Sequence, residues 1–174
     1  MFRFLLAASL GLAFSSAGFA QSEPADAPVK VSLVAAKVVT ADGKEKLVPA
    51  DAAKPGEVVR YTATYKNDSD KGVKKLQATV PVPVGTEVLL ESIKPAGAKA
   101  SLDKEHFEAI PLKREEEMPD GKKRLVNVPT NEYRAIRWSL EDLGAGKSTA
   151  VSVDVRLLIS APKATEAGKQ EGAK

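Results

Sequence analysis

The chain has 174 residues, with 26 basic and 23 acidic side chains, a single histidine and no cysteine. Removing a leader that carries only Arg3 leaves 25 basic against 23 acidic groups, too even a balance to favour nucleic acid or an anionic membrane surface. Without cysteine there are no disulfides and no thiolate metal ligands, so the fold must rest on an apolar core.

The chain opens with Arg3, an apolar run over 4–14, and small residues ending in Gly18-Phe19-Ala20. This is the layout of a secretory signal peptide cleaved after Ala20. The run is too short and too interrupted, by Ser15 and Ser16, for an integral membrane anchor. The expected destination is the periplasm, with the cell surface or the extracellular medium as alternatives. Residues 21–28, QSEPADAP, read as a flexible leader; residues 161–174, APKATEAGKQEGAK, are expected to be disordered.

Between these ends the dominant signal is alternation, the mark of strands buried on one face. An opening strand is expected in VKVSLVAAKVV (29–39). In EVVRYTATYKN, Val59, Tyr61, Ala63 and Tyr65 fall on one face, against Arg60, Thr62, Thr64 and Lys66. KKLQATVPV groups Leu76, Ala78, Val80 and Val82; TEVLLESI and AKASL are shorter candidates. AIRWSL groups Ile136, Trp138 and Leu140. STAVSVDVRLLI sets Val151, Val153, Val155, Leu157 and Ile159 inward, and Ser152, Asp154 and Arg156 outward.

Turn chemistry separates the runs. ADGK (41–44) and PDGK (119–122) are Asp-Gly hairpin turns, while KNDSDKG, KPAG and LGAG are glycine-bearing loops. No stretch places apolar residues at helical spacing behind a capped start. About seven to nine short strands imply an all-β, antiparallel β-sandwich over residues 29–160, as one domain without internal repeat. The irregular segment 107–133 reads as a charged hairpin insertion. A turn at Pro119-Asp120-Gly121 pairs Met118 with Lys122, Glu117 with Lys123 and Glu116 with Arg124.

EDLGAGKST (141–149) imitates a phosphate-binding loop. In G-x-x-x-x-G-K-[ST], however, the first glycine falls on Glu141, and a strand pattern rather than a helix follows Ser148. The run is therefore a chain reversal. His106 could recruit only carboxylates, with Asp103, Glu105 and Glu108 nearest in sequence, and it sits in an apparent exposed turn. Glu115, Glu116 and Glu117, or Glu141 and Asp142, are carboxylate candidates for acid–base work, but they lie among lysines and arginines that keep such groups solvated. Asn67-Asp68-Ser69 fits the glycosylation acceptor pattern, and Asn67, Asp68 and Asp70 gather oxygens without the spacing of a calcium loop. Trp138, Tyr61 and Tyr65 would line a sugar platform if they faced outward, although alternation puts Trp138 in the core. No catalytic, cofactor-binding or metal residue is assigned.

Two stretches, KPGEVVRYTATYKNDSDKGVKKLQATVPVPVGTEV and IRWSLEDLGAGKSTAVSVDVRL, resemble the bacterial conserved-repeat domain of unknown function that is number eleven in its series. The resemblance is carried by Pro55-Gly56 ahead of Tyr61 and Asn67, by the Pro83-Val84-Gly85-Thr86 turn, and by Trp138 leading through Leu143 and Gly146 into the strand from Val151 to Leu157. It implies an immunoglobulin-like sandwich in an exported, often cell-surface, protein, and no activity. The chain departs from the family pattern in having one copy and the charged insertion. The expectation is a non-enzymatic structural or protein-interaction module, its partner another periplasmic or cell-surface protein. The alternative is a domain that binds carbohydrate or cell-wall glycan, and a third reading is a hydrolase using the acidic cluster at 115–117.

Overall fold

The computed structural model describes residues 28–159, apart from 52 and 120. The expected signal peptide, all of the leader but its last residue, and the expected tail lie outside the described residues.

The described chain is all-β, and every strand pairing is antiparallel. In order it forms β1 (Val29–Ala41), β2 (Lys44–Pro49), β3 (Val58–Asn67), β4 (Gln77–Pro81), β5 (Thr86–Lys94), β6 (Lys99–Ser101), β7 (Glu108–Ala109), β8 (Lys113–Glu117), β9 (Lys123–Asn127), a 3-10 turn (Thr130–Glu132), β10 (Ala135–Ser139) and β11 (Ser148–Leu157). Sheet one has the order β2-β1-β3-β11-β5, sheet two the order β4-β10-β6-β7, and β8 and β9 pair only with each other. Among the described residues eleven strands exceed the expected seven to nine; β2 and the two-residue β7 contain too little apolar alternation to be counted from sequence, whereas β8 and β9 are the two strands of the expected charged hairpin. Among the described residues no helix is long and apolar enough to cross a membrane.

The two sheets enclose one apolar core, a sandwich-like arrangement. Val59, Ala63 and Tyr65 of β3 and Val151, Val153 and Val155 of β11 meet Ala78 and Val80 of β4 and Ile136 and Trp138 of β10. Trp138 is 1% exposed and its indole N–H donates to the Pro95 carbonyl at 2.8 Å. The Tyr65 hydroxyl accepts the Thr79 amide N–H at 3.0 Å, which ties β4 across to β3. Buried aromatic groups thus keep their polar ends satisfied.

Two expectations about β11 need correction. Ile159 does not join the core face but is exposed, because the strand stops at Leu157. Asp154, expected to face solvent, is buried on the outer face of sheet one. Its register partner Arg60 explains this: Nε and an Nη donate to the two carboxylate oxygens, each at 2.7 Å, and the same Nη reaches Glu45 of β2 at 3.0 Å. A bidentate pair of this kind tolerates burial that a lone carboxylate would not.

The β1–β2 hairpin closes through Asp42 and Gly43, both at positive φ, as its two-residue turn demands. The β8–β9 register matches the sequence reading: Glu117 lies opposite Lys123, Glu116 opposite Arg124, and the Met118 N–H donates to the Lys122 carbonyl.

Candidate functional site

The glycine-lysine run is a turn between β10 and β11. Gly146 takes φ +65°, the Lys147 N–H donates back to the Gly144 carbonyl at 3.1 Å, and β11 begins at Ser148. The Lys147 amide is thus spent on closing the turn, and the Leu143 amide on a bridge to the Val73 carbonyl. A side chain from the end of β3 fastens it: Asn67, fully buried, donates its amide to the carbonyls of Lys71, Leu143 and Gly144 and accepts the Ser69 N–H and hydroxyl. That use occupies both ends of the amide, so Asn67 is a latch between two loops rather than a free acceptor or an oxygen ligand. Its neighbour Asp68 pairs with Lys30 at 2.8 Å and Lys66 at 2.7 Å, and the hydrogen bond from Lys30, followed by that from Lys66, holds its carboxyl below the usual range.

His106 stands in an exposed turn, as expected, and has one carboxylate partner. Asp103 lies 2.6 Å from its Nδ1 and accepts the N–H groups of Glu105 and His106 and the Ser101 hydroxyl. The hydrogen bond to the imidazole, reinforced by those backbone donors, drives the Asp103 carboxyl far below its ordinary value, and the same carboxylate raises the His106 pKa. The pair borders a cavity of about 210 Å³ lined also by Leu102, Glu108, Leu112, Lys113 and Val128. The Ser101 hydroxyl is directed at Asp103, so the contacts do not form a serine–histidine dyad. Among the described residues no three His, Asp or Glu side chains gather around a common point that could hold a metal ion.

The other carboxylate candidates are dispersed. Glu115 and Glu117 are exposed on β8, Glu116 accepts from Arg114 at 2.8 Å, and Glu141 and Asp142 are exposed in a loop. Of the aromatic candidates, Trp138 and Tyr65 are buried in the core and Tyr61 is half-buried, so the outward sugar platform is not formed by these rings.

The feature that stands out lies on β1. Val31, Leu33 and Ala35 face Tyr65, Ala63 and Tyr61 of β3 across the ladder, and so lie on the core side of sheet one. Yet Val31 is 59% and Leu33 46% exposed. The reason is the width of sheet two: β4, its edge strand, packs on β3 and β11 and leaves Val31 and Leu33 uncovered, while Val29 at the start of the strand still packs against the core. The edge is open as well. β2 pairs with β1 only over residues 36–41, leaving residues 29–35 with a partner on the β3 side alone among the described residues. Val34, on the opposite face, is 56% exposed.

Set against known proteins, the chain matches no family profile, no curated protein and no solved structure.

The sequence reading missed Asn67 as a latch, Asp154 as a buried ion and the open half of β1. Asn67 carried a local signal, a polar residue ending an alternating strand at an inward position, where a buried side chain requires hydrogen-bond partners. The open edge carried none, since alternation in β1 resembles alternation in β3.

Proposed function

We propose that the chain is an exported, non-enzymatic protein-interaction module on an immunoglobulin-like sandwich, and that it engages protein by strand addition at the first half of β1. The single observation behind this is the coincidence, over residues 29–35, of a strand edge unpaired among the described residues with the exposed apolar side chains Val31, Leu33 and Val34. Such an edge is a template for another strand: main-chain hydrogen bonds supply affinity and alternate side chains supply selectivity. Soluble domains ordinarily blunt it with charge, and the one charge within residues 29–35 is Lys30, on the outer face and already paired with Asp68 at 2.8 Å. Export to the periplasm, through a signal peptide removed after Ala20, and the resemblance to the conserved-repeat family are parts of the same reading.

The test places a photo-crosslinking residue at Val31 or Leu33 and, as control, at exposed Arg156 of β11, in cells carrying the chain at its natural level. Protein adducts at 31 and 33 that are absent at 156 are expected. Equal labelling at all three positions, or none at 31 and 33, overturns the proposal.

A further inference from the structure

We infer that the protein seated on this edge is a second copy of the chain, paired β1 to β1 about a two-fold axis at Ser32; this rests on the strand-addition reading above.

The argument begins with backbone parity. The Asp68 N–H donates to the Pro28 carbonyl at 3.0 Å, so even-numbered residues of β1 turn their peptide groups toward β3. By alternation Val29, Val31, Leu33 and Ala35 turn theirs toward the open edge. In an antiparallel pair, residues that exchange hydrogen bonds must oppose one another, and residues between them oppose without bonding. Centring the axis on Ser32 satisfies both conditions over the whole free segment. Val31 meets Leu33 of the second copy, Val29 meets Ala35, and about eight ladder bonds form. Registers centred elsewhere leave part of the segment unpaired or run into residues that β2 already occupies.

The side chains agree with that register. On the core side two Val31–Leu33 contacts cover the exposed apolar surface, each directly opposite and therefore in reach. On the other face Lys30 opposes Val34, so no like charges meet, and Asp68 already neutralises the Lys30 ammonium at 2.8 Å. The Lys30 stem can lie across Val34 with its charge in water. The ladder ends at Val29, beyond which the second copy would meet Pro49 of β2. A heterologous strand would need its own complementary pattern; a second β1 carries it by construction, and a two-fold pairing closes without leaving a further edge of this kind.

A strand pair of this length lies among small interfaces, with a dissociation constant on the order of 10 μM. The chain lacks cysteine, so one introduced thiol reports the register without ambiguity. Ser32→Cys places two sulfurs at a non-bonded pair with Cα atoms about 4.5 Å apart, inside the range a disulfide spans. Val34→Cys would put them about 13 Å apart, four residues out of register. The purified chain, as the cell processes it, is oxidised at about ten times the expected dissociation constant. Covalent dimer from Ser32→Cys, little from Val34→Cys, and a self-association weakened at least about tenfold by Leu33→Asp in sedimentation velocity are expected. Monomer throughout, or equal crosslinking at both positions, overturns the self-pairing. If the chain is monomeric but Ser32→Cys in cells is trapped on a different protein, self-pairing is overturned while the interaction reading stands. Trapping of neither kind overturns both. Ser32 is exposed, so the thiol does not challenge folding.

Discussion

β1 and β11 belong to one sheet and carry the same alternating pattern, but they have different surroundings. The inward valines of β11, at 151, 153 and 155, are 1% exposed or less; the inward Val31 and Leu33 of β1 are about half exposed. The outer faces differ too: β11 buries Asp154 under Arg60, while β1 presents Val34 to water. What separates them is coverage, set by where sheet two ends. Alternation tells which way a side chain points; the opposite sheet decides what it meets there.

That contrast can be broken by mutation. The largest effect is expected at Arg60→Ala, which leaves the Asp154 carboxylate buried without its bidentate partner and should cost about 3–5 kcal/mol in urea unfolding. Arg60→Met with Asp154→Leu should recover much of that loss, because the paired charges give up solvation that apolar groups do not. Next, Val153→Ala should cost about 2–3 kcal/mol through lost burial and the cavity left behind, whereas Val31→Ala should fall within about 0.5 kcal/mol when the chain is dilute. A comparable loss at Val31 would mean that β1 is covered in the monomer, and would end the comparison.

Asn67 sits opposite Val29, where the covered and open parts of the sheet meet. Asn67→Ala should cost about 2 kcal/mol, since buried carbonyls lose their donor, with most of the loss showing as early exchange of amides near residues 143–147.

The smallest effect belongs to the exposed Asp103–His106 pair. Asp103 raises the His106 pKa above its ordinary 6.5, so the contribution of His106 is fully present below that value and is lost as pH rises through the folded pKa. Asp103 has the opposite sign: its contribution is present above its ordinary 3.8 and is lost as pH falls toward its depressed folded value. Titration of His106 by NMR should give a pKa above 6.5 that returns toward it in Asp103→Asn.

Much of this was readable before any coordinates. The inward set of β3 and β11, the burial of Trp138, the strand that follows Ser148 and the cross-strand register of the charged arm all follow from periodicity and turn residues, which act over a few positions. What escaped depended on partners remote in the chain. Asp154 is buried because of Arg60, 94 positions away, and Asn67 because of carbonyls 76 and 77 positions away. Ile159 continued the pattern past the point where pairing stops. The open half of β1 was the least readable, for it reflects the extent of a different sheet.

The charged arm formed by β8 and β9 leaves and rejoins the body at neighbouring points. Leu112 and Val128 are both buried, and the Val128 N–H donates to the Leu112 carbonyl at 2.8 Å. Inside that clasp, the Leu112 N–H is held by the Tyr133 hydroxyl. The scaffold therefore has a ready graft point: residues 113–127 can be exchanged for a short connector or a foreign peptide while both anchors stay seated.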